Sequence, residues 1–293
     1  MSDIWRQRLF SFWENIEQPL VVPALVGIGV GLTIAGACIF LATRKRAKDD
    51  KFRHELWQRF ITWLVLIPAL VAPILLGPVW AILTITVIAL LSYREFARAT
   101  GFFRDAVLSG CVVLGILAMM FAALDNWYNF FAALPSLITA IIAFVAILQD
   151  QPKGYVQRFG LAMMAILLFG VCMGYLAYFS NDKRGASLML ILLIGVELND
   201  VFAFTCGKLF GKRKLSPNTS PNKTIAGSVG ALLLTTTLTY ILIGVAMPDS
   251  VIASPAHRIM LGMIISIAGQ AGDLMISSIK RDVGVKDMGN WLP

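Results

Sequence analysis

Asp273, Ser277, Lys280 and Arg281 stand at i, i+4, i+7 and i+8 near the end of the chain. If a helix continues past Gly272, all four share one face. That face then carries one carboxylate, one hydroxyl and two cations, and Lys286-Asp287 repeats the cation and carboxylate after Gly284. A hard divalent ion takes one or two carboxylates and shares phosphate oxygens, while Lys and Arg neutralise the remaining phosphate charge. The spacing therefore suits a polyphosphate with its metal. The blander reading has Lys280 and Arg281 snorkelling as a stop signal, with Asp273 as their buried partner.

A second polar segment lies upstream, VELNDVFAFTCGKLFGKRKLSPNTSPNKTIAGSVG. Glu197 and Asp200, three apart, share a face near the end of an apolar helix, where ionisable groups are costly unless they pair or line a wet cavity. They are candidates for a metal or proton site. Gly207 and Gly211 are expected to loosen the backbone, and Lys208, Lys212, Arg213 and Lys214 form a basic patch suited to anionic headgroups. Ser220-Pro221-Asn222-Lys223-Thr224-Ile225-Ala226-Gly227 then sets hydroxyls, an ammonium and a glycine before a new helix, groups that a phosphate needs. The GxxxxGK spacing of a Walker loop is absent.

The elements that must position these groups are membrane helices. Of the 293 residues 58% are hydrophobic and 14% charged, too little polar surface for a soluble globule of this size. Apolar runs at 20–43, 60–76, 79–92, 106–124, 128–148, 159–180, 186–206, 229–247 and 259–277 approach the ~20 residues that cross a bilayer. The expected fold is an all-α, polytopic integral membrane helical bundle of about nine transmembrane helices, one domain over 1–293. Residues 1–185 supply N-terminal spans and 186–293 the motif-bearing region. The first run is read as a retained helix, because a basic stretch follows it in place of a cleavage site. The second and third meet at Gly77-Pro78 and are read as a hairpin of two spans rather than one broken element. With loop 44–59 on the cytoplasmic side, twenty of the 25 Lys and Arg fall on that side, which predicts the N-terminus outside and the C-terminus inside. Cys38, Cys111, Cys172 and Cys206 lie singly in apolar runs and are expected in the core. The net charge of +8 comes with no nucleic-acid module.

Two ordered motifs carry a resemblance. Ser277-x-Ile279-Lys280-Arg281, four residues, Lys286-Asp287-x-Gly289, two residues and Leu292-Pro293 resemble the signature of the phosphatidate cytidylyltransferases, the CDP-diacylglycerol synthases. Asp200, Phe202-Ala203-Phe204, Gly207, Leu215, Ser220-Pro221-x-Lys223-Thr224 and Gly227 are similar to that family's other characteristic stretch. Ala226 departs from it, standing where an acidic or amide residue often precedes the glycine. The resemblance is strong over the C-terminal third and architectural elsewhere. It implies a cytoplasmic-side cavity for CTP and Mg²⁺, with phosphatidic acid entering from the bilayer and its phosphate attacking the α-phosphorus of CTP. By carry-over, Asp273, Lys280, Arg281 and Asp287 are the expected catalytic residues, and Ser220, Lys223, Thr224, Ser277 and Lys286 the substrate-binding ones. Asp273, Asp287 and Asp200 are the expected metal set. Such transfer rests on positioning and charge neutralisation and needs no protein nucleophile.

In the family the signature runs on through a Gly-His-Gly-Gly turn and an Asp-Arg-x-Asp element. The sequence given stops inside that motif, so the chain as given is expected to be weak or inactive unless the missing carboxylates are supplied. A CTP-dependent membrane lipid kinase and a non-catalytic anionic-lipid-binding paralogue are the alternatives. A transporter fits less well, since the polar residues gather at one membrane face and not at its midplane. Expected partners are CTP, phosphatidic acid, membrane lipids and a second copy in a homodimer, with no nucleic acid. The expected location is a bacterial inner membrane, with the site facing the cytoplasm.

Overall fold

A computed structural model describes residues 7–45 and 50–285. Among these residues, nine helices are long and apolar enough to cross a membrane, the number expected. The chain is an all-α, polytopic integral membrane protein. It divides into two compact units, one built on Gly27–Gly185 and the other combining Ile16–Val26 with the residues from Ala186.

The first unit begins with a short helix, α1 (Phe12–Ile16), and most of α2 (Val21–Lys45). Helix α3 (Asp50–Leu76) and helix α4 (Pro78–Thr100) follow, separated by Gly77 alone. At 27 and 23 residues each is long enough to span, as the hairpin reading required. Both run well past their apolar cores, because Arg, Glu, Gln and Ala in the flanking turns are good helix formers. Gly77 adopts φ 144°, open to glycine, and Pro78 starts the next helix where its missing N–H costs nothing. The orphan carbonyls ending α3 are met from the N-terminus: Ser11 N–H donates to Leu76 O at 3.1 Å and Asn15 Nδ2 to Leu75 O at 3.1 Å.

Helices α5 (Ala106–Asp125), α6 (Tyr128–Leu148) and α7 (Tyr155–Phe179) complete this unit. They meet at small residues: a Cβ on Gly115 would lie 2.8 Å from Ile166 Cδ1 and 2.9 Å from Ile138 Cγ2. Isoleucine side chains from two neighbouring helices pack directly onto this glycine, and such van der Waals packing at small residues favours helix association in lipid. Inside α7, Ile166–Cys172 is π-helical, a local widening that apolar composition does not announce. Cys38 and Cys172 are exposed, which corrects their expected core placement. A soft apolar side chain is as well solvated by hydrocarbon as by protein.

Asp105 ties three helix ends together. Its carboxylate caps α5 by accepting from Leu108 N–H at 3.1 Å, takes Gln149 Nε2 at 2.9 Å and pairs with Arg158 Nη1 at 3.1 Å. Burial pushes the carboxyl up, but these three donors outweigh it and hold it below its usual range. Asp105→Asn keeps the cap geometry and removes the charge facing Arg158. Its expected cost is about 1–3 kcal/mol, read as a lowered thermal midpoint in detergent. Because the folded value is depressed, the contribution is complete above the ordinary carboxyl range near ~4 and is lost as pH falls through the lower folded value. The gap between wild type and variant should close over that acid window.

The second unit consists of α8 (Gly185–Phe210), an antiparallel ribbon of β1 (Lys214–Ser216) and β2 (Ser220–Thr224), then α9 (Ile225–Ala246) and α10 (Pro255–Asp282). The ribbon was not foreseen by the all-α reading. Ser254 caps α10 through its His257 N–H, and Pro255 occupies the first turn. Helix α10 continues past Gly272 to Asp282, so Asp273, Ser277, Lys280 and Arg281 do lie on one helix at the expected spacing.

Candidate active site

In the second unit, backbone proximity comes first. Thr224 ends the ribbon and caps α9, its Oγ1 accepting from Gly227 N–H at 3.1 Å. A Cβ on Gly227 would stand 2.5 Å from Ala203 O and 3.1 Å from Gly207 Cα. One on Gly211 would meet Thr224 Oγ1 at 2.7 Å. These glycines therefore let α8 and the start of α9 touch, where looseness had been expected. Thr224 itself is buried.

The ribbon then delivers a charge. Lys214 pairs with Thr224 and Ser216 with Ser220, so two steps along β1 match four along β2, and β2 bulges. From that bulged strand Lys223 Nζ reaches Asp273 Oδ2 at 2.5 Å. The Lys223 side chain is 21% exposed and that of Asp273 48%, so the pair is open on one side. Asp200 lies within electrostatic reach of both, and Glu197 within reach of Asp200. Arg281 Nε donates to Thr219 O at 3.4 Å, tying the end of α10 to the ribbon's turn. Ser277 and Lys280 are partly exposed on α10, and Ser220 partly exposed on β2. Lys208, Lys212, Arg213 and Lys214 are exposed, with Lys208 over the Phe204 ring at 6.0 Å. Lys286 and Asp287 lie outside the described residues.

Beneath these groups is a buried polar knot that the sequence reading missed. Asn199 is fully buried, and its Oδ1 accepts from Thr235 Oγ1 at 3.1 Å and Ser266 Oγ at 2.6 Å. Gln270 Nε2 donates to Ser266 Oγ at 3.1 Å and to Ser228 O at 3.2 Å. Asn199 of α8, Thr235 of α9 and Ser266 of α10 thus meet, with Asn199 next to Asp200 in sequence and Gln270 one turn before Asp273. An amide inside an apolar helix and the i, i+4 pair Ser266 and Gln270 were the available signals. Asn199→Ala should cost about 1–2 kcal/mol, since interhelical hydrogen bonds in membranes are modest. Thermal unfolding in detergent measures it, and an unchanged midpoint would mean that the knot holds nothing.

Among the described residues no three His, Cys, Asp or Glu cluster as a closed metal cage. One carboxylate on an ammonium, with a second carboxylate in their field, instead suits a hard ion that keeps waters and takes phosphate oxygens. Lys223 already places a cation on Asp273. The residues present fit a divalent ion bound together with a phosphate ligand.

A model of the cytidylyltransferase family matches residues 57–293. The chain belongs to that family. This cytidylyltransferase is accordingly a nucleotidyltransferase embedded in a membrane. It is 28% identical over 245 residues to an uncharacterized protein of Escherichia coli (strain K12), YnbB, covering 82% of this chain and 80% of that one. It is 30% identical over 189 residues to the phosphatidate cytidylyltransferase of Bacillus subtilis (strain 168), covering 62% of this chain and 69% of the relative. To the phosphatidate cytidylyltransferase of Staphylococcus aureus (strain COL) it is 31% identical over 225 residues, with shares of 65% and 85%.

Proposed function

We propose that this cytidylyltransferase transfers CMP from CTP to phosphatidic acid, giving CDP-diacylglycerol and pyrophosphate. The observation that carries the reading is the Lys223–Asp273 pair with Asp200 in its field, an arrangement with one cation for phosphate and two carboxylates for a metal. The names of the relatives support the lipid substrate.

In the reaction a lipid phosphate oxygen bonds to the α-phosphorus of CTP, and the bond from that phosphorus to the β-phosphate bridging oxygen breaks, its electron pair leaving with pyrophosphate. Asp273 and Asp200, joined by Asp287 of the sequence motif, would hold Mg²⁺. When bound, the ion draws charge from the phosphate oxygens. Lys223, Lys280 and Arg281 neutralise the charge on triphosphate and lipid phosphate, with Ser220, Ser277 and Lys286 as further donors. Most of the catalysis is placement and field, because neither phosphate needs a protein nucleophile. Thr224 acts at one remove, fixing through its cap the turn that presents Lys223. The excess of Lys and Arg in alternate loops supports a site facing the cytoplasm, with the N-terminus outside and the C-terminus inside, and the bacterial relatives support an inner-membrane location.

The test follows both products in membranes carrying the chain, as it stands and extended with the Gly-His-Gly-Gly and Asp-Arg-x-Asp elements, supplied with CTP and phosphatidic acid, with and without Mg²⁺. Mg²⁺-dependent CDP-diacylglycerol and pyrophosphate in equal amounts support the reading. Release of CDP with γ-phosphate transfer would make it a kinase, and CTP-independent lipid binding alone would make it a binding protein.

A further inference from the structure

Within the first unit, α4 and α5 enclose a cleft of about 440 Å³ that the reaction above does not use. Its polar wall is Tyr93, Arg94, Arg98 and Ser109, and its apolar wall includes Leu90 and Val113. Arg94 and Arg98 are one turn apart, so their guanidinium groups share a face. Both are exposed, and neither has a hydrogen-bond or ion-pair partner among the described residues. Asp105, nearby in sequence, is already taken by Arg158 and Gln149. Tyr93 is buried, with its hydroxyl 2.6 Å from Ser109 Oγ. Ser109 is the fourth residue of α5, its N–H bonded to Asp105 O at 2.9 Å and its hydroxyl turned to Tyr93.

Arginines near a helix C-terminus commonly complement its dipole, and that accounts for Arg98, in the last turn of α4. It does not account for Arg94 a turn earlier, for the cleft between them, or for a tyrosine–serine pair within it. Two forked, unpaired guanidinium groups are suited to bidentate recognition of phosphate oxygens. The volume is in the range of small-ligand sites, and the change from cationic mouth to apolar wall matches a phosphate ester that carries hydrocarbon.

We propose that this cleft binds a phosphate group, that of an anionic lipid headgroup or of free phosphate, in the unit that holds none of the reacting residues. The test reconstitutes the full chain in phosphatidylcholine nanodiscs and titrates phosphatidylglycerol, which is not the proposed substrate, with retention read by native mass spectrometry. Arg94→Gln with Arg98→Gln should weaken retention about tenfold or more, as expected when charge-assisted bonds are lost. Lys153→Gln, an exposed loop change, should leave it as in the wild type. Excess inorganic phosphate separates the sources: displacement of the lipid assigns the site to the bare anion, and its persistence assigns it to the headgroup. Equal retention in the glutamine double variant overturns the proposal. If that variant does not fold, Arg94→Lys with Arg98→Lys decides, because charge is kept and the fork is lost. Weaker retention then supports the site and unchanged retention refutes it.

Discussion

Asp273→Asn is expected to lower CDP-diacylglycerol formation by about 10²–10³-fold, the loss typical of removing one preorganised electrostatic group. Asparagine keeps the shape of the side chain and its place on α10, so the effect is one of charge. The substitution leaves Lys223, now 2.5 Å from Asp273 Oδ2, without its counter-charge. A phosphate then competes only with the field of Asp200 for that ammonium, and KM for CTP should hold or fall while kcat collapses. That split separates a lost metal carboxylate from a damaged fold, which would raise KM, lower kcat and lower the thermal midpoint together. Turnover within a few-fold of wild type would remove Asp273 from the proposed chemistry.

Gly227→Val should prevent stable folding of the second unit. Its Cβ would fall 2.5 Å from a backbone oxygen, Ala203 O, and 3.1 Å from Gly207 Cα, and neither atom belongs to a flexible side chain that could swing away. The expected loss is about 3 kcal/mol or more, at the upper end for overpacking, because the branch cannot be relieved without separating α8 from α9. Gly272→Ala is the matched control, since a Cβ there meets nothing within 4 Å. Monodisperse yield on size exclusion and the thermal midpoint should drop for the valine variant and hold for the alanine one. Equal behaviour of the two would mean that the helix crossing is less tight than it stands here.

Much of this architecture was written locally. Span number follows from runs of apolar length, and the continuation of α10 through Gly272 follows from helical spacing on either side of it. Gly77-Pro78 announced its own break, because one residue allows the turn and the next starts a helix. What was not legible depends on partners far along the chain. Lys223 and Asp273 belong to different motifs, and only the fold brings one to the other. Asn199 sits beside Asp200, and without Thr235 and Ser266 in place its amide gives no sign of a three-helix junction. The ribbon escaped because strands of three and five residues rich in Lys, Ser, Pro and Asn have no alternating pattern. Gly207 and Gly227 could be read as pliant or as close-packed, and the choice needs the neighbouring backbone. The π-helical turn in α7 has the same residue types as the α-helix around it.

The open pair of Lys223 and Asp273 also sets how two ligands of opposite sign must influence one another. Each side chain is the other's counter-ion, so an arriving cation has to displace an ammonium and an arriving anion has to displace a carboxylate. Whichever binds first frees the place of the second. By thermodynamic reciprocity the help is equal in both directions. Ligands that arrive already joined, as a nucleotide and its ion do, exchange one internal pair for two external ones in a single event, and a lone ion or a lone nucleotide gains less. A salt bridge of this kind works as a heterotropic coupler that prefers the joined ion and nucleotide to either of its parts.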